Sequence, residues 1–86
     1  MMYELKDTVA PMLSESCKER FRAEYYQVKI RQRKLDRMIR RYEIGTLDFE
    51  PTCPIGLLHQ QSRQMVAYML TLQERAELEG IDLDTE

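Results

Sequence analysis

Ten lysines and arginines lie between Lys18 and Arg41 against three acids, which gives that segment a charge of +7 in a chain of formal net charge −2. Cations at this density suit phosphates, carboxylates or an acidic protein surface. Placed on a helix at about 100° per residue, Lys18, Arg22, Lys29, Arg33 and Arg40 gather on one flank, and Arg20, Arg31 and Lys34 lie on the other side. Tyr25 and Tyr26 border the first flank and put aromatic rings beside the cations. Stacking plus charge is how nucleotides are commonly gripped. The candidate ligand-binding set is therefore Lys18, Arg22, Tyr25, Tyr26, Lys29 and Arg33. The competing reading is a solvated charged face balanced by the acids of a neighbouring helix. The acids exist: Glu74 to Glu86 holds six of them and one arginine, so the chain reads as a basic rod with an acidic end.

Bond-making chemistry lacks its components. His59 is the only histidine, and no serine has a base partner at a recognisable spacing. The chain has no glycine-rich phosphate loop and no cluster of metal-ligand residues. The expectation is a protein without catalytic residues, metal or cofactor, which is not an enzyme, with His59 a half-exposed surface residue. Cys17 and Cys53 lack CxxC spacing and histidine partners, and read as reduced packing or capping residues.

The elements that must position these groups are helical, with no strand signal. Ser16-x-x-Glu19 has the spacing of a capping box, and a first long helix is predicted over about 14–44, closed by Gly45. Cys17, Phe21, Tyr25, Val28, Gln32, Leu35, Ile39 and Tyr42 recur at spacings of three and four and form a seam for a partner helix. The linker Thr46–Pro54 holds two prolines, and its Leu47 and Phe49 are expected to plug the open end of the hairpin. A second helix follows over about 54–79, with Thr52 or Cys53 as N-cap and Gly80 as stop. Its predicted seam is Leu58, Gln61, Met65, Tyr68, Leu72 and Arg75, widened by Val66, Met69 and Ala76. Residues 1–13 read as an N-terminal extension forming a short helix ended or kinked by Pro11.

The fold expected is all-α: an antiparallel helical hairpin over 14–86 with a short N-terminal helix. At 86 residues this is one domain, too small to hide the back of either helix. Tyr26 and Ile30 point away from the seam, so either the N-terminal helix or a second protomer should cover them, and a homo-oligomer is the expected state. No run of 18 apolar residues exists, and the first residues lack a signal-peptide pattern, so a cytoplasmic location without membrane contact is expected. Duplex DNA is disfavoured by the acidic balance and the absence of a recognition-helix turn.

Tyr42-Glu43-Ile44-Gly45-Thr46-Leu47-Asp48-Phe49-Glu50-Pro51-Thr52-Cys53-Pro54, with Leu57, Gln61, Met65, Tyr68, Leu72, Arg75-Ala76 and Gly80-Ile81, carries a resemblance. Over residues 12–83 the chain resembles small helical proteins of tailed phages and prophages related to a crAss-like phage protein. The resemblance implies a phage origin and a location in the host cytoplasm. A second likeness is architectural. Gln61-x3-Met65 followed by Arg75-Ala76, on the second arm of a hairpin, is similar to the hairpin proteins with which phages sequester cyclic-nucleotide signals of bacterial immunity. Those sponges are homo-oligomers, often hexamers, and hold their ligand between protomers without cleaving it. The function expected is immune evasion by sequestration of a small anionic nucleotide. The alternative is a non-enzymatic helical module that docks an acidic host or phage protein, and a third reading is a structural virion or assembly component.

Overall fold

Helix-end rules set the boundaries of the first long helix in the computed structural model, which describes residues 3–83. A 3-10 turn, Leu5–Thr8, runs directly into α1, Val9–Met12. The Glu4 amide donates to the Asp7 carboxylate at 2.8 Å and opens this segment. Pro11 lies inside the first turn of α1, where an absent N–H leaves no bond unmade. α2, Cys17–Glu43, starts from Ser16, whose hydroxyl accepts the Glu19 amide at 3.3 Å. At its far end the Thr46 amide donates to the Arg41 carbonyl at 2.8 Å and the Gly45 amide to the Tyr42 carbonyl at 3.1 Å. This crossed pair needs a left-handed residue between helix and linker, and Gly45 supplies it at φ 78°. α3, Ile55–Glu79, begins one residue later than predicted: Pro54 is itself the N-cap, and no side chain caps the helix. Thr52 and Cys53, the predicted caps, are exposed.

α2 and α3 lie antiparallel. Gln32 Nε2 donates to Ser62 Oγ at 3.1 Å, and Gln73 Nε2 donates to Tyr25 Oη at 2.8 Å, so positions rising along one helix meet positions falling along the other. All elements are helical, with no strand among the described residues. The molecule measures 42 × 24 × 21 Å.

The α2 seam is largely as predicted: Phe21, Tyr25, Val28 and Ile39 are buried, and Gln32 and Leu35 half-buried. Its ends are not, since Cys17 and Tyr42 are exposed. The α3 seam keeps the predicted Leu58, Met65, Met69, Leu72 and Ala76, gains Ser62, and loses the other predicted positions, Val66 among them. Leu58, Ser62, Met65, Met69, Leu72 and Ala76 face α2, whereas Gln61, Tyr68 and Arg75 are exposed. Size decides this register, because Ser62 and Ala76 let the two backbones approach where a tyrosine and an arginine cannot. The displaced side chains straddle the rim instead. Tyr68 donates its hydroxyl to the Glu24 carboxylate, a bond that holds the Tyr68 phenol above its ordinary pKa. The Arg75 guanidinium sits 4.8 Å above the Phe21 ring centroid and pairs with Glu79 at 3.0 Å.

Two further expectations are corrected. Leu47 is half-buried, but Phe49 is 53% exposed and plugs nothing. Cys17 and Cys53 are free thiols, both exposed, and neither packs in the core. His59 is half-buried at the rim, its Nε2 2.7 Å from the Glu43 carboxylate.

The back of α2 is covered from within the chain. The N-terminal segment folds along it, with the Tyr3 ring 5.0 Å from that of Tyr26 and Gln27 Nε2 3.0 Å from Met12 Sδ. Ala23 and Thr8 are buried to 0% and 1% exposure as a result, while Ile30 is half-buried. α2 is thus the middle layer, with the N-terminal segment on one face and α3 on the other.

Candidate functional site

A middle helix keeps only its edges open to solvent, and one edge of α2 carries Lys18, Arg22, Lys29 and Arg33. Gly80, left-handed at φ 71°, sets the neighbouring wall. It turns the chain after α3 so that the Ile81 amide donates to the Ala76 carbonyl at 2.8 Å and the Ile81 side chain enters the core at 7% exposure. The segment that follows crosses the basic edge. Arg22 Nε donates to the Asp82 carbonyl at 2.8 Å, and the Tyr26 hydroxyl donates to the Leu83 carbonyl.

Between this strap and α3 opens a shallow cleft of about 350 Å³, lined by Tyr25, Lys29, Gln73, Ala76, Glu77, Ile81 and Leu83. Tyr25 supplies its aromatic floor, backed by Tyr26: the two rings meet edge to face, 5.3 Å apart at 75°. The Lys29 ammonium lies over both, 5.8 Å from the Tyr25 centroid and 5.5 Å from that of Tyr26. The two rings help hold the ammonium in place. Gln73, bonded through Nε2 to Tyr25, fixes the wall on the α3 side. The cleft therefore offers one positioned cation, one carboxylate in Glu77, an amide and an apolar floor. That combination suits a small ligand with an anionic group, hydroxyl or amine donors and a flat apolar part.

Of the six predicted residues, Tyr25, Tyr26 and Lys29 come together as one cluster. Tyr25 and Tyr26 are buried, at 5% and 4% exposure, with ring faces already occupied by each other, by Tyr3 and by Lys29. Within one protomer Tyr25 forms the floor with Tyr26 behind it, and neither leaves a free face for a base. Arg22 holds the strap. Lys18 and Arg33 are exposed along the same edge and do not line the cleft. Gln73, Glu77, Ile81 and Leu83 were not singled out as site residues from the sequence. The available signal was Gly80 followed by apolar Ile81, the pattern of a helix end that folds its next residue back onto the helix.

Other clefts are less suited to an anion. One of about 400 Å³ at the linker is lined by Tyr42, Gly45, Leu47, Asp48, Phe49 and Glu50, whose charges are all negative. One of about 350 Å³ under the N-terminal segment, lined by Leu5, Thr8, Val9, Met12, Leu13 and Gln27, carries no charge. No group of three or more metal-ligating side chains occurs among the described residues, and no described helix is long and apolar enough to cross a membrane.

No curated protein and no solved structure matches the chain. Residues 15–78, which include all of α2 and nearly all of α3, match the family model described as Sequestin, and with more than half of its length matched the chain belongs to the Sequestin family.

Proposed function

We propose that this chain is a phage-encoded sequestering protein that binds a small nucleotide signal of bacterial antiviral defence in the host cytoplasm and holds it without cleaving it. The observation that carries the reading is Lys29, an ammonium fixed over two tyrosine rings at the mouth of a small cleft. The family name denotes sequestration, and the matched span includes Lys18, Arg22, Tyr25, Tyr26, Lys29, Arg33, Gln73 and Glu77. Lys29 meets phosphate, Arg33 one turn further along supplies a second charge, and Glu77 and Gln73 accept from hydroxyl or amine donors. The cleft is too open for one protomer to enclose a ligand, which fits a homo-oligomer with the ligand held where protomers meet. Sequestration then works by mass action, with capacity set by the abundance of the protein.

The test is a thermal-shift and calorimetric screen against cyclic nucleotides. One class is expected to raise Tm, since a ligand that binds only the folded chain stabilises it. In a Lys29→Gln, Arg33→Gln double variant, affinity should fall by about tenfold or more for each lost cation, with the native mass unchanged. Unaltered affinity in that variant would overturn the site.

A second reading rests on Arg31, Lys34, Arg37 and Arg41, exposed on α2 outside the cleft. Here the basic surface docks an acidic protein. It predicts no thermal shift with any nucleotide and a partner whose binding weakens with salt.

A further inference from the structure

The face of α3 beside the cleft carries Val66 and Leu70 at 40% and 56% exposure, one turn apart at the middle of the helix. Arg63 lies one turn before Val66 and Glu74 one turn after Leu70, both exposed. At about 100° and 1.5 Å per residue, these four side chains share a stripe roughly 80° wide and about 16 Å long. Read from either end it has the same order of a charge, two apolar groups and a charge, with the sign reversed. The midpoint of Val66 and Leu70 falls at position 68, and that of Arg63 and Glu74 falls within a residue of it.

We infer that this stripe is a two-fold docking surface for a second copy of the same chain, with the two α3 helices antiparallel. A two-fold axis at position 68 sets Val66 of each copy against Leu70 of the other, and Arg63 of each against Glu74 of the other. Charge complementarity selects this occupant. Parallel docking would oppose Arg63 to Arg63 and Glu74 to Glu74, an acidic partner would meet Glu74 and Glu77, and a basic partner would meet Arg63. A reversed copy satisfies both ends and matches the apolar pair between them. Glu77 lies on the same side of α3 and lines the Lys29 cleft, so docking brings Arg63 of the second copy to the rim of that cleft and adds a cation to it. This consequence for the ligand rests on the sequestering reading; the interface does not.

Sedimentation velocity without nucleotide separates the two. The native chain should be dimeric at about 100 µM, and more weakly so as salt rises. Arg63→Glu opposes like charges at both ends and should weaken the dimer by about tenfold or more. The double variant Arg63→Glu, Glu74→Arg restores both pairs with the signs exchanged and should return the dimer to within a few-fold of native. Circular dichroism on each variant verifies that the helices remain. A native chain that stays monomeric, an Arg63→Glu variant as dimeric as native, or a charge swap that rescues nothing overturns the interface, whatever the nucleotide screen finds.

Discussion

At the scale of the residue, the tyrosine pair shows how far side-chain chemistry could be read in advance. That Tyr25, Tyr26 and Lys29 share one edge of α2 follows from helical periodicity alone, and the structure brings them together. That Tyr26 is buried behind Tyr25 does not follow, because the groups that meet it come from outside the helix: Tyr3 from the N-terminal segment and the Leu83 carbonyl from the strap. A periodicity argument made on one helix cannot supply partners that belong to other segments. The Tyr26 hydroxyl gives this a measurable form. Tyr26→Phe keeps the ring, its edge contact with Tyr25 and the seat for Lys29, and removes the bond to the strap. The loss should cost about 1 kcal/mol and lower Tm by about 4–8 °C in a domain of this size. Amide exchange should quicken at Ile81 and Asp82 and stay native in the middle of α2. A variant with native Tm and exchange would show that the strap is held without this bond.

At the scale of the element, the hairpin, the Ser16 cap of α2 and the glycine stops were legible, and the N-cap of α3 and part of its seam were not. Gly45 and Gly80 both close helices in the left-handed conformation, as their positions after long periodic runs suggest. The predicted α3 seam held at Leu58, Met65, Met69, Leu72 and Ala76, but it took in the exposed Gln61, Val66, Tyr68 and Arg75 and passed over Ser62, whose small polar side chain gives no hydrophobic signal. In the structure Ser62 and Ala76 occupy seam positions, with Ser62 hydrogen-bonded to Gln32, and Tyr68 is turned to the rim where its hydroxyl reaches Glu24. Close approach between helices is thus a property of the small side chains, and Ala76, 3% exposed against Phe21, Tyr25 and Leu72, is where it is tightest to substitution. Ala76→Leu adds three carbons to a filled site and should destabilise the chain by about 1–3 kcal/mol in chemical denaturation. Val66→Leu, at a position 40% exposed on the same helix, should fall within about 0.5 kcal/mol of native. Equal effects from the two would remove the distinction between seam and stripe on which the α3 register rests.

At the scale of the whole molecule, composition foresaw the central difficulty: a hairpin leaves the back of α2 bare, and either the chain or a copy of it must act. The structure resolves this for Tyr26 and Ala23 within the chain, since the N-terminal segment lies on them and Thr8 is sealed at 1% exposure. The family match begins at residue 15, so this cover is contributed by residues outside the matched span. The segment has no core of its own, being one 3-10 turn and a four-residue helix, and it persists through what it covers. Removing residues 1–13 should therefore leave α2 and α3 helical and expose an apolar strip of Ala23, Tyr26 and Ile30. Uncovering a buried tyrosine and its neighbours costs on the order of 2–3 kcal/mol, and an apolar strip on a small monomer is a site of association. The expected result is a lower Tm together with a larger, concentration-dependent mass by light scattering. This association would use the back of α2, and so should survive Arg63→Glu, whereas docking through α3 should not. Because the two faces lie on different helices, combining the truncation with the charge reversal assigns each contribution to self-assembly separately.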